Sequence, residues 1–220
     1  MSEGQGSREA WRPWLLAAGS GVAMALALPG PGIVPLVLVV PGLLRRALTG
    51  LHGWRAFRVG WLAGFAQWVI AVPWVYIVLH RHAHFQAALA VLAVALVAGI
   101  LGLTWAIAAW ATSRLPETWR VAALPLALAA FEELQHFPPW IFPWNPAAAA
   151  LTPVPTLLSP LPVTAAIGLS LLVLLLGSSL AALLEPRTRR AGAASVVITC
   201  LAWAGASVLA PRAHLSLIHI

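Results

Sequence analysis

The sequence predicts an all-α polytopic membrane protein, and its composition and the placement of its charges are the observations that predict it. Apolar residues make up 61% of the 220-residue chain and charged residues only 9%, and the mean hydropathy is +0.89. These values lie far outside the range of soluble globular domains. The basic residues, all of them arginine, fall in short clusters between apolar runs. That pattern is a topology signal, so the net charge of +7 does not indicate a nucleic-acid partner.

Seven apolar segments are the predicted transmembrane helices. A helix needs about 20 mainly apolar residues to cross roughly 30 Å of hydrocarbon, because its backbone amides must be bonded internally. The segments follow a cytoplasmic amino-terminal stretch, 1–13, and form a membrane domain over 14–210. They are 14–28, 33–44, 59–79, 87–112, 116–137, 163–184 and 193–210.

The first two segments are short, and the sequence PGPG at 29–32 separates them. The pair is flanked by clusters of basic residues at Arg8, Arg12, Arg45 and Arg46. Both clusters are expected in the cytoplasm, so the chain crosses twice or not at all between them. We therefore predict a tight helical hairpin. The alternative is a cleaved signal peptide ending near Ala27, which would leave 33–44 without a partner.

Arginines are distributed unequally between the two sides of the predicted bundle. With a cytoplasmic amino terminus, the external segments hold only Arg81 and Arg212. The cytoplasmic segments hold the others, which are Arg8, Arg12, Arg45, Arg46, Arg55, Arg58, Arg114, Arg120, Arg187, Arg189 and Arg190. This positive-inside bias predicts that the loop after the fifth helix and the carboxyl end are external.

Two adjacent glutamates, Glu132 and Glu133, lie near the end of the fifth predicted helix. Counted from Pro116, Glu132 is roughly 24 Å along that helix, in the outer part of the bilayer, where acidic residues are costly and usually functional. Two interpretations stay open. Both carboxylates mark the helix end and reach water, or one lines a cavity open to the outer leaflet and binds a cationic or hydrogen-bonding substrate group. Adjacent helical residues point about 100° apart, so we do not expect both to face one cavity.

A proline-rich stretch, FPPWIFPWNPAAAALTPVPTLLSPLP at 137–162, follows the glutamates and is incompatible with a regular helix. Its apolar residues, with Trp140 and Trp144, predict a loop at the outer membrane interface, where indole rings settle at headgroup depth. An aromatic anchor without any further role explains these tryptophans equally well on physical grounds.

The sequence predicts no metal site, no cofactor and no catalytic nucleophile. His80 and His84 in HRHAH have helical i, i+4 spacing, but no Cys or acidic ligand is nearby, so an interfacial polar turn is favoured. Cys200, the one cysteine, lies in an apolar segment without a neighbouring His or acid. It is predicted to be a buried structural thiol. No phosphate loop, dinucleotide fingerprint or nucleophile elbow occurs in the sequence.

Four stretches match motifs of one known family in the same order. They are PGPGIVPL, GWLAGFAQWVIAVPWVYIVLH, the stretch from Glu132 to FPW at 142–144, and IGLSLLVLLL. They are similar to the proline-broken first hairpin, third span, acid-to-FPW motif and G-L-S sixth span of bacterial apolipoprotein N-acyltransferases. The resemblance covers most of 14–210 and places Glu132, rather than Glu133, at the acidic position.

The sequence departs from this family's pattern on both sides of the loop. Where the family has Trp-Leu-Arg after its Glu, this chain has Glu133-Leu134-Gln135, so an ion pair or phosphate contact is in doubt at Gln135. Where the family has Thr-Gly before FPW, this chain has Trp140-Ile141.

The resemblance implies a multi-pass enzyme of the bacterial cytoplasmic (inner) membrane. Such an enzyme transfers an acyl chain from a phospholipid to the amino-terminal amine of a diacylglyceryl-cysteine lipoprotein, so its partners are a phospholipid acyl donor and an apolipoprotein. The substrate- or lipid-facing residues that the resemblance implies are Glu132, Trp140, Phe142, Pro143 and Trp144.

The family's catalysis runs on a Glu, Lys and Cys triad in an external nitrilase-like domain, where the thiolate forms a thioester. This sequence has no Lys, and its one Cys lies in the seventh predicted helix. We therefore expect a membrane platform that lacks the catalytic domain and is inactive alone. A small transporter or channel component is the main alternative, although no convincing internal repeat supports it. A noncatalytic membrane assembly subunit is another.

The last residues, 211–220, are expected to be a truncated external end. The terminal LSLIHI at 215–220 is what one frame of a transposon-end adaptor used in sequencing libraries encodes, so we expect it to be non-native. A chance hydrophobic end is the alternative.

Overall fold

The structure, a computed structural model, describes residues 3–138 and 142–210, with side chains from Ala10 onward. Trp140 and the segment 211–220 lie outside the described residues. Every regular element in the described ranges is a helix, which confirms the predicted all-α class. The helices are α1 (Glu3–Ala27), α2 (Leu36–Ala47), α3 (Gly53–Ala71), α4 (Pro73–Ile77), α5 (Ala87–Thr112), α6 (Glu117–Leu134), α7 (Leu161–Leu183) and α8 (Arg189–Leu209).

Three of these helices, α5, α7 and α8, are long and apolar enough to cross a membrane. A fourth candidate is α3 together with α4 and the π-helical turn Val78–His82, a pair bent by 52°. The third predicted segment, 59–79, is therefore divided into two helical parts, and its crossing of the membrane stays a prediction. The break falls at Val72 (φ −117°, ψ 32°), because Pro73 has no N–H and its ring disfavours helical geometry in the preceding residue.

The helices α1 and α2 form an antiparallel hairpin. Its turn is closed by backbone bonds from Gly32 to Leu28 (3.0 Å) and from Ile33 to Leu26 (3.0 Å). The buried hydroxyl of Ser20 donates to the carbonyl of Val40 at 2.9 Å, so a polar bond joins the two helices inside the bundle. Such bonds stabilise helix pairs where water is absent.

The helices α3 and α5 pack closely against one another at two facing glycines. A Cβ on Gly64 would lie 2.8 Å from the Cα of Gly102, and one on Gly102 would lie 2.9 Å from the backbone nitrogen of Phe65. Real side chains do not fit in such gaps, so the absence of a side chain sets the distance between the helices. Small residues at helix crossings are the usual means of close packing in membrane bundles.

One end of the bundle, which we call the arginine end, gathers the carboxyl ends of α2, α5 and α7. Arg120 is only 5% exposed there, and its guanidinium donates to the carbonyls of Leu48 (3.3 Å), Leu115 (2.8 Å) and Ser113. A single buried side chain thus bonds the loop after α2 to the loop after α5. Arg guanidinium, with five donors in a fixed fork, is suited to this role.

The opposite end, which we call the loop end, contains the α1–α2 turn, the α3–α4 break and the proline-rich loop between α6 and α7. Part of this loop is buried in the protein, and its position at a membrane interface stays a prediction. The 3₁₀ helix Ala147–Leu151 enters the bundle, and four of its five residues are buried, namely Ala147, Ala148, Ala150 and Leu151. Small and apolar side chains make this insertion possible.

Cys200 is exposed on α8, so the prediction of a buried thiol is wrong. The buried residues of α8 are Gly192, Thr199 and Ala206, which lie about two turns apart on one face. Cys200 follows Thr199 and therefore points away from that face. Its apolar neighbours in the sequence are equally compatible with a protein interior and with a lipid-facing surface.

Candidate functional site

Glu132 is bonded to the proline-rich loop. Its Oε1 accepts a hydrogen bond from the backbone N–H of Ala147 at 2.9 Å. Ala147 begins the 3₁₀ helix, whose preceding residue, Pro146, provides no side-chain cap. The first N–H groups of a helix have no partner inside it, so a carboxylate from α6 supplies one. Hydrogen bonds with a charged acceptor are among the stronger ones in proteins.

Ser170 makes the matching contact from the other side of the loop. This serine of α7 is fully buried, and its Oγ accepts a hydrogen bond from the N–H of Ala148 at 2.9 Å. Consecutive backbone N–H groups are therefore bonded to two different helices. Glu132 and Ser170 together hold the start of the 3₁₀ helix between α6 and α7.

A small polar cavity lies behind Glu132. It has a volume of about 20 Å³, and residues of α3, α5, α6 and the loop line it, including Gln67, Trp68, Thr104, Glu132 and Asn145. Three of the lining residues carry a buried polar atom that has no hydrogen-bond partner within the described part of the chain: Glu132 Oε2, Gln67 Oε1 and Trp68 Nε1. The cavity is far too small for a lipid headgroup.

Four aromatic side chains form a cluster between the α3–α4 break and the loop. Trp74 lies 5.3 Å from Trp144 and 6.5 Å from Phe142, measured between ring centroids. The rings of Trp68 and Phe142 are inclined at 62° with centroids 6.1 Å apart, and those of Phe142 and Trp144 are 6.0 Å apart. Aromatic pairs at these distances are mutually stabilising. The cluster therefore fixes the loop to α3 and α4, as Glu132 and Ser170 fix it to α6 and α7.

The residues predicted from the sequence are brought together only in part. Glu132 and Trp144 line the same small cavity, Phe142 is half-buried, and Pro143 is exposed. Trp144 has 44% of its surface exposed, so one side of it faces outward. Trp140 lies outside the described residues. Whether any of these residues contacts a substrate stays a prediction.

Glu133 points away from Glu132, as their 100° separation on a helix requires. Its side chain is 45% exposed and lies 3.8 Å from the imidazole of His136. Gln135 is buried, with 6% exposure, and lines the small cavity. The carboxylate at 132 is therefore the one that faces the bundle.

The histidine run does not form the helical pair that its spacing allows. The π-helical turn ends at His82, and His84 has a positive φ of 57°. The Nδ1 of His80 lies 2.9 Å from the carbonyl oxygen of Phe85. Within the described residues, no group of three or more His, Cys, Asp or Glu is placed to hold a metal ion.

Gln67, Trp74 and Ser170 belong to this region of the structure but were not predicted from the sequence. Pro73 was the available signal for Trp74, because a proline inside an apolar run predicts a break and a changed direction for the next side chain. Ser170 lies in the G-L-S motif at 168–170, but its partner is a backbone N–H, which has no sequence signature.

A separate apolar groove of about 820 Å³ opens between the α1–α2 turn, the loop, α7 and α8. Its lining includes Ile33, Val154, Leu157, Leu176 and Trp203. Cys200 also borders it. Apolar surface of this size is suited to a hydrocarbon environment.

Long apolar helices, close glycine crossings and a loop bonded into the bundle define an all-helical membrane domain. The chain belongs to the family described as the apolipoprotein N-acyltransferase N-terminal domain, whose model matches residues 20–179. This finding confirms the family resemblance in the sequence.

Curated relatives agree with that assignment. The chain is 33% identical over 218 residues to the apolipoprotein N-acyltransferase of Rhizobium etli (strain CIAT 652), an alignment covering 90% of this chain and 40% of that protein. It is 31% identical over 220 residues to the protein of the same name from Rhizobium leguminosarum bv. trifolii (strain WSM2304), covering 91% and 40%. With the protein of that name from Caulobacter vibrioides the identity is 34% over 147 residues, covering 61% and 27%. The chain thus spans less than half the length of these relatives.

Proposed function

We propose that this chain is the membrane domain of an enzyme that transfers a phospholipid acyl chain to the amino-terminal amine of a diacylglyceryl-cysteine lipoprotein. The support is the family membership of residues 20–179 and the shared name of the three relatives. The transporter and assembly-subunit alternatives gain no support from these names. Phospholipid and apolipoprotein are accordingly the proposed partners.

The proposed topology has seven crossings of the bacterial cytoplasmic membrane, with a cytoplasmic amino terminus. The crossings are α1, α2, α3 with α4, α5, α6, α7 and α8, within a membrane domain of 14–210. Support comes from the contacts at the arginine end, where Arg120 bonds the loop after α2 to the loop after α5. Arginine-rich ends face the cytoplasm in membrane proteins, so the loop end is the external face.

The proposed substrate face is the aromatic surface of the loop end. Phe142, Pro143 and Trp144 contact lipid there, and lipid contact is proposed for Trp140 from the sequence motif alone. Glu132 positions these residues without lying on the aromatic surface itself, since its side chain is hydrogen-bonded to the loop that carries them. The bond from Ala147 to Glu132 is the observation that carries this assignment, because it places the family's acid-to-FPW motif in one structural unit.

In this proposal the helical domain binds lipid and supplies no nucleophile. Cys200, the one cysteine, lies on α8 beside an apolar groove. A thiol needs a neighbouring base or positive charge to become a reactive thiolate, and the residues that line the groove beside Cys200 include neither. The chain alone is expected to form no thioester with a phospholipid donor.

A chimera tests the proposed function. Residues 20–179 replace the corresponding segment of the Rhizobium etli relative, and the chimera is produced in cells depleted of their own acyltransferase. We expect lipoproteins to regain the amino-terminal acyl chain, measured by mass spectrometry of their amino-terminal peptides. The control is the same relative carrying an unrelated bundle with the same number of helices. A chimera that is inserted at normal levels and leaves lipoproteins unacylated would contradict the proposal.

A further inference from the structure

Three residues from two helices line one cavity at the loop end, and each carries a buried polar atom without a hydrogen-bond partner in the described part of the chain. Gln67 Oε1 and Trp68 Nε1 come from α3, and Glu132 Oε2 comes from α6. Gln67 and Trp68 are each only 3% exposed. Leaving such atoms without partners destabilises a folded protein, so the three are expected to share a ligand.

The chemistry of these atoms restricts what that ligand is. The oxygen atoms of Glu132 and Gln67 are hydrogen-bond acceptors, whereas the indole nitrogen of Trp68 is only a donor. A ligand that satisfies all three donates two hydrogen bonds and accepts one. A water molecule does so. A metal cation binds the two oxygen atoms but is repelled by the indole N–H, whose hydrogen carries a partial positive charge.

The size of the cavity agrees with the same ligand. Its volume of about 20 Å³ slightly exceeds the roughly 10–15 Å³ that one water molecule requires. Buried waters commonly make about three hydrogen bonds to otherwise unpaired groups. From the number, type and enclosure of these atoms we propose that Glu132, Gln67 and Trp68 bind one buried water molecule.

This water connects α3 to the proline-rich loop. The connection runs from Gln67 and Trp68 through the water to Glu132 Oε2, and from Glu132 Oε1 to the N–H of Ala147. Trp68 lies four residues before the α3–α4 break at Val72, and its ring also contacts the ring of Phe142 in the loop. The water makes Glu132 a positioning residue that bonds to the loop and to α3 at once. The site is independent of the proposed acyl transfer, because it depends only on this chain's own atoms.

The direct test is a structure of the purified chain in lipid nanodiscs, at a resolution where waters are visible. We expect one density peak within about 2.7–3.2 Å of all three atoms. A cavity without a peak, in which Gln67 bonds Glu132 directly, would overturn the proposal. A peak that disappears, with a fall in melting temperature, when choline replaces sodium would identify a cation site instead and would also overturn it.

Paired substitutions test the hydrogen bonds without a structure. Trp68→Phe keeps an aromatic ring and removes the N–H, and we expect its melting temperature to fall by about 2–4 °C. Trp74→Phe is the matched control, because it changes a tryptophan of the same aromatic cluster that does not line the cavity. We expect a smaller fall for the control. Equal falls for the two variants would refute a specific role of the Trp68 N–H.

A double-mutant cycle tests whether the two acceptors share one ligand. Gln67→Leu and Glu132→Leu each remove an acceptor, and the second removal should lower the melting temperature less when the first is already present. Glu133→Leu is the control partner, since Glu133 is exposed and lies outside the cavity, and its effect should add to that of Gln67→Leu. Additive effects in both pairs would contradict a shared water.

Discussion

The Nη1 of Arg45 lies 3.0 Å from a carboxylate oxygen of Glu185, joining the end of α2 to the turn between α7 and α8. Arg45 is 5% exposed and Glu185 is 30% exposed. The same carboxylate lies 3.2 Å from the Nε of Arg46, which is 41% exposed. One acidic group thus compensates two positive charges, of which only one is buried. Breaking a buried pair leaves an uncompensated charge, whereas exposed pairs contribute little.

The first prediction follows from that difference in burial. Glu185→Gln should lower the free energy of unfolding by about 1–3 kcal/mol, because the buried Arg45 then lacks its counterion. Water near the partly exposed Glu185 screens the ion pair, which limits the size of this loss. Arg46→Ala, which removes only the exposed partner, should cost less than about 1 kcal/mol. Unfolding of the purified chain in detergent, followed by circular dichroism, measures both. Equal losses of unfolding free energy in Glu185→Gln and Arg46→Ala would show that the burial of Arg45 does not determine the strength of the ion pair.

The second prediction concerns the glycines between α3 and α5. Gly64→Ala should destabilise the bundle by about 1–3 kcal/mol, because its Cβ would lie 2.8 Å from the Cα of Gly102. Gly99→Ala on α5 is the control, since its Cβ would meet only the ring of Trp61 at 3.6 Å, an ordinary contact. It should be neutral or slightly stabilising, as alanine favours a helix. Thermal unfolding distinguishes the two, and a tolerated Gly64→Ala would mean that the helices separate easily.

The helical class followed from the sequence because hydrocarbon tolerates few backbone structures. The apolar run at 87–112 contains no proline and is one helix, α5. The run at 59–79 contains Pro73 and is divided at Val72. The physical rule for proline was available from the sequence, but whether the chain bends or continues depends on packing, and here the aromatic cluster around Trp74 accompanies the bend.

For the candidate site, the sequence predicted that the side chains of Glu132 and Glu133 point in different directions, but it did not predict their partners. Helical geometry separates Glu132 from Glu133, and the structure places them on different faces. The partner of Glu132 was not predictable, because it is the backbone N–H of Ala147 and every residue except proline has one. The burial of Cys200 was predicted wrongly for a related reason. Hydropathy does not distinguish a residue in the protein interior from one on a surface that contacts lipid.

The third prediction tests the proposed topology. In a Cys200→Ser background, a cysteine at Arg190 should react with a membrane-impermeant maleimide only after the membrane is opened, and one at Trp144 should react in intact spheroplasts. Both positions are exposed, so access depends on the side of the membrane. We expect this result because arginine-rich segments of membrane proteins face the cytoplasm, and in the proposed topology the arginine end is cytoplasmic. Labelling of the Trp144 position only after opening would reverse the orientation and remove the basis for an external substrate face.

The last prediction compares the effects of Glu132 and Glu133 on lipoprotein acylation. In the chimera with the Rhizobium etli relative, Glu132→Leu should reduce lipoprotein acylation about 10-fold or more, because the N–H of Ala147 loses its partner, and an unpaired buried donor costs about 1–3 kcal/mol. Glu132→Gln should lose less, since its amide oxygen still accepts that bond. Glu133→Leu should remain near the unsubstituted level, because the side chain of Glu133 is 45% exposed and lies beside the exposed His136.

The order of acylation activity among these three variants distinguishes a positioning role of Glu132 from a direct charge interaction. A positioning role predicts that acylation falls from Glu133→Leu through Glu132→Gln to Glu132→Leu, with the retained hydrogen bond deciding the middle rank. A direct charge interaction with a cationic substrate group predicts instead that Glu132→Gln and Glu132→Leu are equally impaired, because both remove the charge. Acylation rates measured on matched amounts of inserted protein decide between the two. Full activity in all three variants would leave Glu132 with no role beyond the end of its helix.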